Sequence, residues 1–266
     1  MQKAFVYTSL GLRRCVFKCF FNAFINKEDF MKKIKNYFSA AELALWICSA
    51  AAIVISFVLF DRTNYLTLSA SLIGVTSLIF NAKGNPLGPL LMVVFSIIYG
   101  IISYGFSYYG EMLTYLGMTM PMSAFSFITW IRHPFDGKKS EVQVNSISKK
   151  EQAFMWILTL TVTAIFYFVL KKWNTANIIP STLSVATSFL PVYLTFRRSP
   201  YYALGYASND IVLIVLWTLA SLNDKSYISV TVCFAAFLVN DLYGFINWNR
   251  IKKRQKEYAD SLHKSV

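Results

Sequence analysis

The sequence is poor in charged residues, histidine, cysteine and proline. Only 15% of its 266 residues are charged, with 26 Lys and Arg against 13 Asp and Glu, and it contains 2 His, 4 Cys and 7 Pro. A charged fraction this small is unusual for a soluble globular domain. Hydrophobic residues make up 56% of the chain, and the mean hydropathy is +0.46. The composition therefore indicates a membrane protein.

The scarcity of cysteine and histidine argues against several kinds of site. Cys15, Cys19, Cys48 and Cys233 have no paired extracellular arrangement, so we expect no disulfide framework. Cys15 and Cys19 lack a further Cys or His ligand nearby, so we expect no metal site. The apolar stretches contain no evident paired carboxylates, Ser/Lys pair or Gly-rich phosphate loop. We therefore predict neither an intramembrane enzyme nor a bound cofactor.

Eight apolar stretches are long enough to cross a bilayer, which takes about 20 helical residues. The second and sixth are rich in Ser and Thr, which lower hydropathy but favour close helix packing. The predicted fold class is an all-α polytopic membrane protein with about eight transmembrane helices. The spans lie near 42–60, 65–80, 87–106, 111–131, 152–170, 178–196, 202–221 and 227–248.

The distribution of positive charge predicts the orientation of these spans. If the N-terminus is cytoplasmic, 22 of the 26 Lys and Arg residues fall in cytoplasmic segments. The positive-inside rule then places both termini in the cytoplasm. The net charge of +13 is better explained by contact with a lipid bilayer than with nucleic acid, because no aromatic-interleaved RNA-recognition pattern accompanies it.

Three segments outside the spans are expected to be cytoplasmic. Residues 1–41 are a basic N-terminal segment, in which 1–30 suggest either an amphipathic helix on the membrane surface or an upstream extension. Residues 136–152 are polar and predict a flexible connector. Residues 249–266 form a basic tail.

A weak internal repeat relates the two halves of the chain. An offset of 118 residues aligns Trp130 with Trp248 and Tyr99 with Trp217. Segment 65–131 would then be one three-helix bundle and 178–248 a second, with 152–170 as a linker helix and 42–60 as an added helix. Because one linker crossing joins bundles of three, the bundles are parallel, and a site is expected between them near the midplane.

Polar side chains concentrate in the second bundle. Asp210 and Asn240 are both about 12 Å from the cytoplasmic ends of their spans, at 1.5 Å per residue. A carboxylate at that depth is a candidate functional group, although an Asp210–Asn240 hydrogen bond could simply fasten two helices. Tyr243 and Asn247 share the helical face of Asn240, whereas Asp241 points about 100° away and its role is open.

This set of residues suits a neutral polar solute that contains a ring. Carboxylate and amide groups bond sugar hydroxyls, and Tyr206, Tyr243, Trp217 and Trp248 offer surfaces for stacking. Trp248 and its counterpart Trp130 lie at span ends, where they could equally anchor helices at the membrane interface. The residues favour a transport pathway for a nucleoside-like molecule.

Two motifs resemble the PnuC family of vitamin transporters. They are Tyr201-Tyr-Ala-Leu-Gly-Tyr-Ala-Ser-Asn-Asp210 and Asn240-Asp-Leu-Tyr-Gly-Phe-Ile-Asn-Trp248, and Gly84-Asn-Pro-Leu-Gly88 through Met112 is similar to the family's first repeat. The resemblance covers about residues 40–250. It implies a 3+1+3 helix arrangement like that of SWEET sugar transporters, a homotrimer, and facilitated uptake of nicotinamide riboside. It also implies that a cytoplasmic kinase traps the imported nucleoside.

The resemblance also implies a set of substrate-binding residues. Asp210, Asn240, Tyr243 and Asn247 match motif positions that line the family's central cavity, and Trp217 and Tyr99 match their aromatic neighbours. The remaining expected contacts lie within the matching motifs and are Tyr202, Tyr206, Asn209 and Trp248.

One departure from the family pattern affects the substrate. Many members have a Trp-x-x-Trp pair where this chain has Ala203-Leu-Gly-Tyr206. A missing indole changes the stacking surface and the cavity size. Alternatives to nicotinamide riboside are therefore another nucleoside or vitamin, such as a deoxynucleoside, thiamine or riboflavin, and proton-coupled uptake is an alternative mechanism.

Overall fold

A computed structural model describes residues 36–105, 108–175 and 177–264 of the chain. The sequence-based expectations for residues 1–30, including a surface helix, lie outside these ranges. The helices are α1 (Ala40–Phe60), α2 (Tyr65–Ala82), α3 (Leu87–Gly105), α4 (Tyr109–Thr114), α5 (Met120–Arg132), α6 (Lys149–Lys172), α7 (Ile178–Phe196), α8 (Tyr202–Ser221) and α9 (Ile228–Lys264). A π-helical turn (Tyr115–Thr119) joins α4 to α5, and a 3₁₀ turn (Lys225–Tyr227) precedes α9.

The predicted all-α membrane fold is confirmed, and each predicted span corresponds to a helical segment. Seven helices of the described residues are individually long and apolar enough to cross a membrane. The fourth span is the exception, because the π turn divides it into α4 and α5. The last helix continues far beyond its predicted span, as its basic tail remains helical to Lys264.

Local hydrogen bonds explain where several helices begin. Ser39 and Glu42 form a capping box, in which each side chain accepts from the other residue's backbone N–H. The Asn64 side chain accepts from the backbone N–H of Thr67 at the start of α2. The Ser148 hydroxyl does the same for Glu151 at the start of α6. These caps satisfy N–H groups that have no partner within the helix.

Six of the spans pack in a closed sequence of neighbours. The helix α2 packs on α3, α3 on α5, α5 on α7, α7 on α8, α8 on α9, and α9 returns to α2. The helix α6 lies against α7, and most of its apolar side chains are exposed. In α1, the Trp46 indole donates to the Thr76 hydroxyl (3.1 Å) and Ile53 joins the main buried cluster.

Residues at the repeat offset of 118 meet in two places. The Trp217 indole donates to the Tyr99 hydroxyl (2.6 Å), and the rings of Trp130 and Trp248 lie 5.4 Å apart. Trp130 also donates to the Thr195 carbonyl of α7, and Trp248 to the Asn81 carbonyl of α2. These two contacts join residues 65–131 to residues 178–248.

The connector forms a small hairpin rather than the flexible segment that its polarity suggested. Strands β1 (Pro134–Phe135) and β2 (Lys138–Val142) pair antiparallel. The N–H of Val142 donates to the Gly84 carbonyl, and that of Asn145 donates to the Arg198 carbonyl. The Gln255 amide accepts from the N–H of Val144 and donates to the Val142 carbonyl. The connector thus ties the α2–α3 loop, the α7–α8 loop and α9 together.

Candidate functional site

A polar cavity lies among the membrane helices. Its wall is formed by residues of α2, α3, the π turn, α7, α8 and α9. The cavity measures about 10 Å³, which is room for roughly one water molecule. Small-molecule sites usually measure about 300–1,000 Å³, so the structure is a closed conformation. Its lining is Leu78, Met92, Phe95, Tyr115, Thr119, Ser188, Tyr206, Asn209, Asp210, Phe237 and Asp241.

Two carboxyl groups meet at the wall of this cavity. Asp210 of α8 and Asp241 of α9 are each 3% exposed, and their side chains are hydrogen-bonded to each other. An ionised carboxylate only accepts hydrogen bonds, so at least one of the two carries a proton. The Oδ2 oxygen of Asp210 is buried and has no hydrogen-bond partner outside this carboxyl pair in the described part of the chain.

The partner of Asp210 differs from the sequence prediction. Asn240 was expected opposite Asp210, but Asp241 occupies that position because α9 turns its Phe237 and Asp241 face toward the cavity. The expectation that the spans lack paired carboxylates is therefore wrong. The available signal was the presence of a second Asp within an apolar span, which by itself marks a candidate functional residue.

Asn240 lies at the interface of α9 with α1. Its amide nitrogen donates to the Ser49 hydroxyl and to the Ala236 carbonyl, both at 2.8 Å. Its Oδ1 is buried and has no partner among the described residues. Asn240 therefore fastens two helices and still presents one unpaired acceptor.

Asn209 and Tyr206, two of the expected contacts, lie on the cavity wall. The Asn209 side-chain oxygen accepts from the hydroxyls of Thr187 and Ser188, both at 2.9 Å. These bonds fix the amide plane and leave its NH₂ group as a donor. The Tyr206 ring contacts the Tyr202 ring edge-on at 6.1 Å, so Tyr202 supports the cavity from behind.

The other predicted contacts lie outside the cavity lining. Asn247 donates to the Ala82 carbonyl (2.9 Å), and Tyr243 is half-buried on the same side of α9. Trp248 is fully buried between Trp130 and Tyr202. Of the ten predicted contacts, the closed structure brings Tyr206, Asn209 and Asp210 to the cavity. Trp217 and Tyr99 join an aromatic cluster with Phe95, Tyr108, Tyr115, Tyr227 and Phe234.

The first half contributes cavity residues that sequence reasoning missed. Tyr115 and Thr119 reach the cavity from the π turn. Such turns often occur at functional sites. Pro121 is the second residue of α5 and has no backbone N–H to donate to the preceding turn. It was therefore the available sequence signal for an irregular helix.

Glu111 is a further buried carboxyl that the sequence analysis did not single out. It lies near the start of α4 and is 0% exposed. The Ser184 hydroxyl is its polar neighbour, but neither carboxyl oxygen has a hydrogen bond of ordinary geometry within the described ranges. Tyr99 and Tyr115 are its other polar neighbours. Glu111 therefore extends the polar interior from the cavity toward α4.

Apolar helices that surround a polar cavity are the arrangement expected of a polytopic membrane transport protein. A family model described as nicotinamide mononucleotide transporter matches residues 64–250. This chain belongs to that family. The match confirms both the PnuC-family resemblance and the expectation of a transporter rather than an enzyme.

Two curated relatives support the assignment. A nicotinamide riboside transporter PnuC from Neisseria mucosa is 25% identical over 217 residues, which is 79% of this chain and 82% of the relative. A nicotinamide riboside transporter PnuC from Haemophilus influenzae is 21% identical over 197 residues, which is 72% of this chain and 82% of the relative.

A solved structure shares the fold. The crystal structure of the vitamin B3 transporter PnuC superposes with a TM-score of 0.72 at 21% identity, covering 82% of this chain and 94% of that one. The arrangement of membrane helices described above is therefore that of a known transporter fold.

Proposed function

We propose that this protein takes up nicotinamide riboside by facilitated diffusion down the concentration gradient. The observation that carries the proposal is a buried polar cavity, lined from both halves of a transporter fold, in which the Asp210 carboxyl has no partner other than the Asp241 carboxyl. Both curated relatives are named as transporters of this nucleoside.

The proposed binding site is the cavity in an expanded form. Asp210 accepts hydrogen bonds from ribose hydroxyls, and the free NH₂ group of Asn209 donates to the ligand. The rings of Tyr206 and Tyr115 flank the nicotinamide ring. Asn240 adds its unpaired oxygen once the cavity opens. The remaining predicted contacts belong to this open form and are Tyr202, Tyr243, Asn247, Trp248, Trp217 and Tyr99.

The proposed mechanism is alternating access by rocking of two bundles. Residues 65–131 form one bundle and 178–248 the other, while 152–170 connect them and 42–60 pack outside. Support comes from the hydrogen bonds of Trp130 and Trp248, each of which reaches from one proposed bundle to the other. Breaking them opens one end of the cavity, as rocking transporters require.

The proposed cellular setting follows the family and the charge pattern. The protein lies in the plasma membrane of a bacterium with both termini in the cytoplasm, as 22 of the 26 basic residues favour. It assembles as a homotrimer, and a cytoplasmic kinase phosphorylates the imported nucleoside and so keeps it inside. The transporter itself uses no ATP.

A second candidate is a related vitamin or nucleoside, including thiamine, riboflavin and deoxynucleosides. The observation in favour is that Ala203 is fully buried against α9 near Gly244, so of the residue pair 203 and 206 only Tyr206 reaches the cavity. With Ala203 in place of a large ring, the space beside Tyr206 differs from that of the many family members that have a Trp-x-x-Trp pair, and this difference favours a ligand with a different base.

A calorimetric screen of the purified protein tests the substrate. The wild-type protein is titrated in turn with nicotinamide riboside, deoxynucleosides, thiamine and riboflavin. The same titrations are then repeated with the Asp210→Ala variant. We expect saturable binding of nicotinamide riboside that Asp210→Ala weakens by at least tenfold, about 1.4 kcal/mol. Tighter binding of another compound selects the second candidate, and unchanged binding by Asp210→Ala contradicts the proposed site.

A further inference from the structure

The carboxyl pair of the cavity has no positive partner. In the described residues, the ion pairs of Glu151 and Glu141 with arginines lie elsewhere, and no Lys, Arg or His interacts with Asp210 or Asp241. The titratable groups that face the pair are Tyr115 from the π turn, Tyr202 and Tyr206 from α8, and Cys233 from α9. The α7 wall contributes the hydroxyl of Ser188.

Charge in such a place is costly unless it is balanced. An ionised carboxylate buried in a membrane protein costs several kcal/mol unless a counter-charge or water reaches it. Asp210 is 3% exposed and lines a cavity that has room for about one water molecule. Its Oδ2 oxygen has no hydrogen-bond partner outside the carboxyl pair among the described residues. Ionisation of the pair in the closed cavity is therefore costly unless a cation lies beside it.

The aromatic walls also suit a cation. Tyr115 and Tyr206 line the cavity from different helices, and Phe95 and Phe237 complete its apolar side. The faces of such rings attract a positive charge, and they do so more strongly where water is excluded. Carboxyls and aromatic rings together favour a flat ring that carries a positive charge.

We propose that the Asp210–Asp241 pair is the counter-charge for a monocationic heteroaromatic ligand, and that the ligand and protons compete for this pair. The proposal rests on the proposed function for the position of the site, and it narrows the substrate class. Nicotinamide riboside is an N-substituted pyridinium and thiamine a thiazolium, and both are cations. Deoxynucleosides and riboflavin are neutral and gain nothing from the pair.

The proton balance is simple. When the cation binds, the O–H bond of a carboxylic acid in the pair breaks heterolytically, and the proton leaves to solvent or buffer. No electron is transferred and no covalent bond to the ligand forms. By linkage, the affinity for the cation rises with pH, by at most about tenfold per pH unit for each proton released.

Titration calorimetry of the full chain tests this competition. The cation is nicotinamide riboside, and the matched neutral probe is its 1,4-dihydro form, which has the same ribose and carboxamide but no charge. Each is titrated between pH 5.5 and 8.5 in two buffers that differ in ionisation enthalpy. We expect the cation to bind more tightly as pH rises, with a buffer-dependent heat that reports proton release, and the neutral probe to show neither effect.

Two variants complete the design. Asp241→Asn leaves one carboxylate and an amide donor beside it, so it should bind the cation with a weaker pH dependence than the wild type. Asp210→Asn/Asp241→Asn should bind both probes about equally. Thermal unfolding checks that each variant is folded. If a variant is not folded, the wild-type titrations alone test the competition between ligand and protons.

The outcomes separate the two proposals. If both probes bind the wild type with affinities that do not change with pH, the proposed substrate is supported and the proposed counter-charge role of the pair is wrong. If the neutral probe binds more tightly than the cation, the counter-charge is also wrong. If neither probe binds, the proposed substrate fails and the counter-charge fails with it.

Discussion

Polar side chains within the membrane helices fall into two groups, according to whether each polar atom has a partner. Most hydroxyls donate to a carbonyl four residues earlier in their own helix, as Ser71, Ser96 and Thr159 do. Asp210 Oδ2, Asn240 Oδ1 and both carboxyl oxygens of Glu111 are among the buried atoms that have no such bond in the described residues. An unpaired buried polar atom costs about 1–3 kcal/mol, and of these residues Asp210 lines the cavity, where a ligand can stabilise it.

A pair of variants separates the two roles of Asn240. Ser49→Ala removes the hydrogen bond between α1 and α9 and leaves Asn240 in place, whereas Asn240→Ala removes both the bond and the unpaired oxygen. We expect both variants to lower the melting temperature, because each leaves a polar group unpaired. Only Asn240→Ala should weaken nicotinamide riboside binding, by tenfold or more in calorimetry. Equal affinities of the two variants would show that Asn240 only fastens helices.

The hydrogen bond between Trp217 and Tyr99 provides a second prediction at this scale. The two residues are 118 apart and buried, with 2.6 Å between indole nitrogen and hydroxyl oxygen. We expect Trp217→Phe and Tyr99→Phe each to destabilise the protein by about 1–3 kcal/mol. In a double-mutant cycle by chemical denaturation, the double variant should cost less than the sum of the two single ones. Strict additivity would mean that the bond contributes nothing.

At the scale of helices, the sequence was a good guide to where each one lies but a poor guide to what each one faces. Twenty-residue apolar runs follow from the bilayer's thickness, so all eight spans could be predicted. The choice of Asp241 over Asn240 depends on the rotation of α9, and a shift of one residue rotates a helix face by about 100°. The hairpin depends on hydrogen bonds between distant segments, such as Val142 to Gly84, which no local pattern encodes.

The close packing of α2 on α3 leads to a prediction at this scale. A Cβ at Gly88 would lie 2.6 Å from the backbone nitrogen of Asn81, whereas at Gly105 it would meet nothing within 4 Å. The Ser77 hydroxyl also donates to the Gly88 carbonyl (2.8 Å), which holds the helices together. We expect Gly88→Ala to destabilise the protein by about 1–3 kcal/mol in denaturation, while Gly105→Ala serves as the matched control with little effect. Similar stabilities would contradict the close approach.

For the whole molecule, the central feature is a cavity closed at the end that carries the connector. Trp130 and Trp248 meet there, and each indole donates to the opposite half. Arg254 and Gln255 of α9 also bond Glu141 of the connector (2.6 and 2.9 Å). Opening toward this side must therefore break bonds that join the two halves.

Hydrogen–deuterium exchange of the whole protein checks this closure. Trp248→Phe removes the bond to Asn81, and Trp130→Phe removes the bond to Thr195, at a cost of about 1–3 kcal/mol each. We expect faster exchange in residues 79–88 for the first variant and in 194–202 for the second. Trp156→Phe, on the exposed side of α6, is the matched control and should change neither segment. Unchanged exchange in the first two variants would show that these bonds do not hold the halves together.

The most direct test of the account is uptake of radiolabelled nicotinamide riboside into liposomes that contain only the purified protein. The liposomes hold no ATP and have equal pH and potassium on both sides, with valinomycin keeping the membrane potential at zero. We predict saturable uptake that stops when the inside and outside concentrations are equal, and that Asp210→Ala slows at least tenfold. Uptake no faster than in protein-free liposomes, or uptake only when an ion gradient is imposed, would contradict facilitated transport through this cavity.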